Sequence, residues 1–256
     1  LVERMEASDR VEIVQTPSIQ PKFVAMNPAF EPWGNPLVRR AVAHAVDKDL
    51  IIDRLLFGRA DRLDGPIGET QICYDGPIDN PINYDPEAAR ALLAEAGYAD
   101  GGPKIDFYTA NGRYIADRQV SEVITQMLSE VGFDVTLHAP EFANMWADVR
   151  TGKSPMFYMG RGLVLDPSEG IAQYLETGVT PRVNYSNPEL DALFSEERRT
   201  IDPAERCAIW RKIRQLIVDE SPMLFLWTHR LVNGVAKEVN WPADASGEVW
   251  VADIRM

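Results

Sequence analysis

Two arginines sit where side-chain chemistry and backbone freedom coincide. Arg113 lies in NGRYIAD, flanked by Asn111, Gly112 and Tyr114. Arg161 lies in MGRGLVLDPSEG, between Gly160 and Gly162 and just before the apolar positions Leu163 and Leu165. A guanidinium can grip a carboxylate through two parallel hydrogen bonds. Glycines beside it let a ligand approach the main chain. Asn111, Arg113, Tyr114, Gly160, Arg161, Gly162, Leu163 and Leu165 are the candidate binding set. On local sequence alone, a surface or interdomain salt bridge is the favoured reading of each arginine.

Other chemistries find less support. Asp166 looks catalytic at first, but it belongs to a recurring pattern. YDPEAARALLAEAG, LDPSEGIAQYL, SNPELDALF and IDPAERCAIWRKIRQLIVDE each open with Asp or Asn followed by Pro. The side-chain oxygen of such a residue caps free amides, and Pro suits the first helical position. Asp166 with Glu169, and Asp202 with Glu205, have capping-box spacing, with Asp in place of the usual Ser or Thr. ADVRTGKS at 147–154 nearly forms a phosphate loop, but its first glycine position is Ala147 and EFANMWADV before it reads as helix. Gly152 therefore reads as a helix end.

His44, His138 and His229 lack metal-ligand spacing, and neither cysteine has a second ligand nearby, so no metal or cofactor is expected. No G-x-S-x-G elbow is present. Most acids fall in caps or on polar helix faces. Cys73 and Cys207 are far apart and show no disulfide spacing. Cys207 aligns with Trp210, Ile213 and Ile217 and reads as a small buried hydrophobe, a reading favoured over a disulfide, although two cysteines without a spacing pattern leave the bond open.

The elements that must position the arginines are legible from period and punctuation. KIDFYTA alternates as a strand, and the following helix puts Val120, Val123, Ile124, Met127 and Leu128 on one side. Gly132 ends that helix, and FDVTLHA alternates again. This is a β-loop-α-β unit with parallel strands, and NGRYIAD occupies the carboxyl end of its first strand, where ligands of open α/β sheets sit. Residues 11–27 read as two short strands split by Pro17 and Pro21. Residues 36–57 read as one amphipathic helical stretch with Val38, Val42, Ala45, Val46 and Leu50 on one face. Residues 58–84 are a long Gly/Pro/Asp/Asn loop. Leu224–Trp227 reads as a fully buried strand within a strand-rich tail.

The chain has 256 residues, 45% of them hydrophobic, enough for a substantial core. A net charge of −13 argues against nucleic acid and against an anionic membrane surface as partners. No run of about 18 apolar residues is present. LVERMEASDR has neither an initiator Met nor a signal peptide and reads as a helix end, which suggests a fragment.

Taken in order, AMNPAFEPWGNPLVRRAVAHAVDKDLI, YDPEAARALLAEAGY, the β-loop-α-β unit with QMLSEVGFDV, GRGLVLDP, YSNPELDALF and DPAERCAIWRKIRQLIVDESPMLFLW make the chain resemble the extracellular solute-binding proteins of family 5, the peptide/nickel/oligopeptide type. The resemblance covers nearly the whole chain. It implies a periplasmic-binding-protein-like (type II) α/β lobe, a mixed sheet with flanking helices, and a ligand cleft shared with a second lobe. It further implies delivery of solute to an ABC permease, a non-enzymatic role, and a periplasmic or extracellular location. The match is to the C-terminal lobe. Residues 1–18 are then a leading segment from the lobe junction, 19–220 the ligand-binding lobe, and 221–256 a strand-rich tail returning toward the N-terminal lobe, which is a further partner.

In dipeptide-binding relatives an Arg in the loop matching NGRYIAD meets the ligand carboxylate, and Arg113 matches it. Those relatives carry an Asp three residues before the Asp-Pro for the ligand amino group; Leu163 stands there in this chain. The aromatic usual early in that loop is also replaced, with Arg161 near its place. The resemblance thus points to a blocked peptide, an organic acid or an amphiphilic anion. A ligand-sensing regulator or chemoreceptor built on the same lobe is a second reading, and a carboxylate-dependent hydrolase a third.

Overall fold

The computed structural model describes residues 2–161 and 165–255. After a short helix α1 (Val2–Glu6), strand β1 (Val11–Met26) runs unbroken where the sequence suggests two pieces. The prolines do not end it because they fall at a register shift. Pro17 faces Arg230 and Pro21 faces Thr228, so the residues between them bulge out of the ladder that Pro cannot complete.

Helix α2 (Pro36–Ala45) is followed by α3 (Lys48–Arg54). The single helix expected over 36–57 breaks because Val46 adopts an extended conformation and the Asp47 carboxylate accepts from the Leu50 amide. The helical face resets there, which leaves Leu50 46% exposed instead of in line with Val42. Lys48, at the start of α3, is buried. Its ammonium donates to the carbonyls of Leu63 (2.6 Å) and Phe225 (3.3 Å) and pairs with Asp64 at 3.3 Å.

Short strand β2 (Ala60–Arg62) is embedded in the long loop. Helix α4 (Pro86–Glu95) precedes strand β3 (Lys104–Tyr108), helix α5 (Asp117–Glu130) and strand β4 (Asp134–His138). β3 and β4 are parallel, as their sequence pattern requires. Helix α6 (Phe142–Arg150) takes in the first half of ADVRTGKS, Gly152 at φ +72° follows its end and a strand comes next, so the strand-to-helix geometry of a phosphate loop is absent there. Strand β5 (Met156–Gly160), helices α7 (Pro167–Leu175), α8 (Pro188–Glu197) and α9 (Pro203–Glu220), and strand β6 (Met223–Ala236) complete the regular structure.

The strands form one mixed sheet in the order β2-β6-β1-β5-β3-β4. Alternation along its central strands divides the core. Val24, Met26, Met156, Tyr158, Leu224 and Leu226 pack with α2, α3, α4 and α5, while Phe23, Ala25, Phe157, Met159, Met223 and Phe225 pack with α6, α7, α8 and α9. Helices thus cover both faces, and the expected buried run Leu224–Trp227 is at most 6% exposed.

Each Asp/Asn-Pro start is a true cap. Asp85, Asp166, Asn187 and Asp202 accept from amides one or two residues beyond the proline. Such a cap contributes about 1 kcal/mol.

The cysteines depart from expectation. Cys73 and Cys207 form a disulfide that fastens the long loop to α9. Their 134-residue separation leaves no local trace, since only the fold brings the Cα atoms to 4.8 Å. The same junction carries ion pairs from Asp75 to Arg211 and Arg214.

Candidate functional site

The β3–α5 loop is organised by one carboxylate. Asp117, 2% exposed, accepts from the backbone amides of Gly112 (2.9 Å), Arg113 (2.8 Å), Tyr114 (3.0 Å) and Arg118 (2.8 Å). Charge-assisted bonds of this kind are stronger than neutral ones, and four of them fix the loop at the carboxyl end of β3. Ala116 completes the turn in a left-handed conformation, φ 53°. The Tyr114 hydroxyl then donates to the Gly160 carbonyl at 3.1 Å, tying this loop to the end of β5. Burial pushes that hydroxyl's pKa up. The Arg113 guanidinium lies 5.4 Å from the Tyr114 ring centre and 5.1 Å from that of Phe142.

β5 and β1 supply the rest. Lys22 pairs with Gly160 in the antiparallel register, and the Arg161 amide donates to the Pro21 carbonyl. Lys22 is 4% exposed and lies with its ammonium 5.3 Å from the Tyr114 ring centre. Burial first, and the Arg113 charge second, lower its pKa to about 8. His229, across from β2 on β6, is also buried; burial and then Lys22 lower its pKa to about 4, so it is neutral above that pH.

Arg113, Tyr114, Gly160 and Arg161 therefore line one cleft of about 190 Å³ with Lys22, Ser18, Gln20, Ile115, His229 and Leu231. No acidic side chain is among these lining residues. Among the described residues neither arginine makes the salt bridge that local sequence favours, and Lys22 has no acidic partner within 4.0 Å. The Arg161 Nε is buried without a hydrogen-bond partner among the described residues.

The remaining candidates separate. Asn111 is exposed and does not line the cleft. Leu165 is 57% exposed, and its carbonyl accepts from the Ile72 amide. Gly162 and Leu163 lie outside the described residues. Asp166 caps α7 and holds Arg206 through both carboxylate oxygens, at 2.9 and 2.8 Å, which confirms its structural role.

Lys22, His229 and Asp117 escape a motif search. The signal for Lys22 is a lone cation inside the apolar run PKFVAM. That for Asp117 is an acid closing a glycine-containing loop just before a helix.

A second cavity of about 150 Å³ lies under the long loop and is lined in part by Asp61, Arg62, Asp64, Glu69 and Arg214. Its charges are largely neutralised within the chain, by Arg230–Asp61, Arg62–Asp64 and Arg214–Asp75. It therefore offers an ion much less than the cations of the first cleft, which are unpaired among the described residues. The first cleft also borders an apolar groove of about 420 Å³, sharing Ile115, His229 and Leu231 with it and continuing over Leu55, Phe57 and Val232.

Comparison with known proteins gives this cleft a context. Residues 1–180 match the family described as bacterial extracellular solute-binding proteins, family 5 Middle. The glutathione-binding protein GsiB of Pectobacterium atrosepticum is 29% identical over 247 residues, covering 92% of this chain and 47% of that protein. The fold superimposes on HbpA2 from Haemophilus parasuis with a TM-score of 0.90 at 19% identity, over 100% of this chain and 52% of that one. It superimposes on the dipeptide-binding protein of Pseudoalteromonas sp. SM9913, in complex with Met-Leu, with a TM-score of 0.85 at 20% identity, over 99% and 52% of the two chains. The chain spans about half the length of the relatives it matches.

Proposed function

Because the chain belongs to the bacterial extracellular solute-binding proteins of family 5, we propose that it is the C-terminal lobe of the substrate-binding component of an ABC importer, taking a small anionic, peptide-like or amphiphilic solute. The observation that carries this reading is the convergence of Lys22, Arg113 and Arg161 on one cleft without an acidic partner among the described residues. Cations held this way gain from an incoming carboxylate, and a guanidinium such as that of Arg113 can grip one with both of its terminal nitrogens. The adjoining apolar groove leaves room for an apolar portion of the same solute.

Glutathione, named for the relatives, carries two carboxylates and is a natural first probe. The role is binding rather than turnover, in keeping with the relatives' names as binding proteins. Residues 1–18 and 221–256 are the segments that lead from and return to the partner lobe. That lobe closes the cleft by hinge motion, and the closed form is what a membrane permease receives. The Cys73–Cys207 disulfide supports a location outside the reducing cytosol.

Titration calorimetry on the full-length gene product tests the reading. Glutathione or N-acylated amino acids are expected to bind, and Arg113→Ala to weaken them at least ~10-fold, or about 1.4 kcal/mol. Tight binding of ordinary dipeptides, undiminished by Arg113→Ala, would refute it.

A further inference from the structure

We propose that Lys22 sets the specificity of this cleft, selecting with Arg113 and Arg161 a solute that carries two negative charges over one that carries a single carboxylate. The inference rests on the anion-binding reading and goes beyond it by counting charges. Lys22 is buried in a seat built for it: a Cβ on Gly160 would stand 2.8 Å from its Cδ and 2.9 Å from its Nζ. The glycine at that paired position of β5 leaves the room in which the side chain lies across the strand, and a larger residue would push the lysine aside. The ammonium has three donors, and its one described bond is to the Gln20 carbonyl at 3.2 Å.

The Tyr114 ring supports both Lys22 and Arg113, so two like charges are held against one aromatic. Arg161 adds a third cation, whose buried Nε has no hydrogen-bond partner among the described residues. One carboxylate would leave two of these charges unmatched, whereas a dianion leaves one; the effect is greatest at Lys22, which is buried, while Arg113 is exposed and Arg161 half-buried. A dicarboxylate and a phosphoryl group share this chemistry.

Three probes with blocked amines separate the cases in calorimetry on the full-length gene product. N-acetylglutamate has two carboxylates, N-acetylglutamine is its near-isosteric monoanion, and N-acetylphosphoserine brings a phosphoryl dianion. The wild type is expected to prefer N-acetylglutamate over N-acetylglutamine by ~10-fold or more. Lys22→Met, which keeps length and removes charge, is expected to abolish most of that preference, weakening N-acetylglutamate at least ~3-fold more than N-acetylglutamine. Lys22→Gln repeats the test should the first variant fold poorly. Tighter binding of N-acetylphosphoserine than of N-acetylglutamate supports the proposal and assigns the dianion as phosphoryl.

A second readout is pH. The groups facing Lys22 are Arg113, Arg161, Tyr114 and His229. His229 is neutral above about pH 4, and burial raises the Tyr114 hydroxyl. Dianion affinity should therefore fall as pH rises through about 8 in the wild type, and stay flatter in the Lys22 variants. Equal affinity for the two glutamate analogues, or a Lys22 variant that weakens both alike or neither, overturns the proposal. If both bind equally and both need Arg113, only the charge count fails. If none binds and Arg113→Ala changes nothing, the anion-binding reading fails with it.

Discussion

His229 shows how one side chain links the cleft to stability. Its pKa is 6.5 in an unfolded chain and about 4 when buried beside Lys22. Between those values the unfolded state binds the extra proton, so stability is lost as pH falls from about 6.5 to about 4. The shift corresponds to about 3 kcal/mol at most. His229→Gln is expected to flatten that part of the acid-unfolding curve, as read by urea midpoints at successive pH values. An unchanged slope would mean that other groups carry the dependence. At this scale the arginines of the site were visible in the sequence, because glycines flank them. Lys22 was not, since a lone Lys in an apolar strand looks the same whether its ammonium reaches solvent or is sealed against a tyrosine ring.

The β3–α5 loop is the element on which recognition turns. Its position in a β-loop-α-β unit follows from period and punctuation alone. The four amides converging on Asp117 do not, because their convergence depends on loop dihedrals such as the left-handed Ala116. Asp117→Ala would leave these donors without their acceptor in a half-buried loop. The expected loss is about 2–3 kcal/mol of stability together with a marked fall in anion affinity. Guanidinium denaturation and calorimetry on the same variant check both, and loss of stability with unchanged affinity would separate the loop from recognition. The α2–α3 break gives the converse lesson. Leu50 fits the apolar period, yet the Asp47 cap starts a new helix and turns that position outward.

Across the whole molecule, the Cys73–Cys207 bond joins a loop rich in Gly and Pro to the longest helix, α9. Closing so long a loop restricts the unfolded chain, and Cys73→Ser with Cys207→Ser is expected to lower stability by about 2–5 kcal/mol. An unchanged urea midpoint would show that Asp75, Arg211 and Arg214 hold the junction without it.

The sequence by itself determined the local terms: four capped helix starts, the parallel β-loop-α-β unit, the buried Leu224–Trp227 run and a family resemblance that the comparisons bear out. These depend on neighbours within a turn or a strand, where period and capping chemistry act directly. Only the tertiary structure decided the continuity of β1 through its prolines, the disulfide, and the meeting of Lys22, Arg113, Arg161 and His229 in one cleft. Those features join residues far apart in the chain, and they exist only once the order of strands in the sheet is fixed.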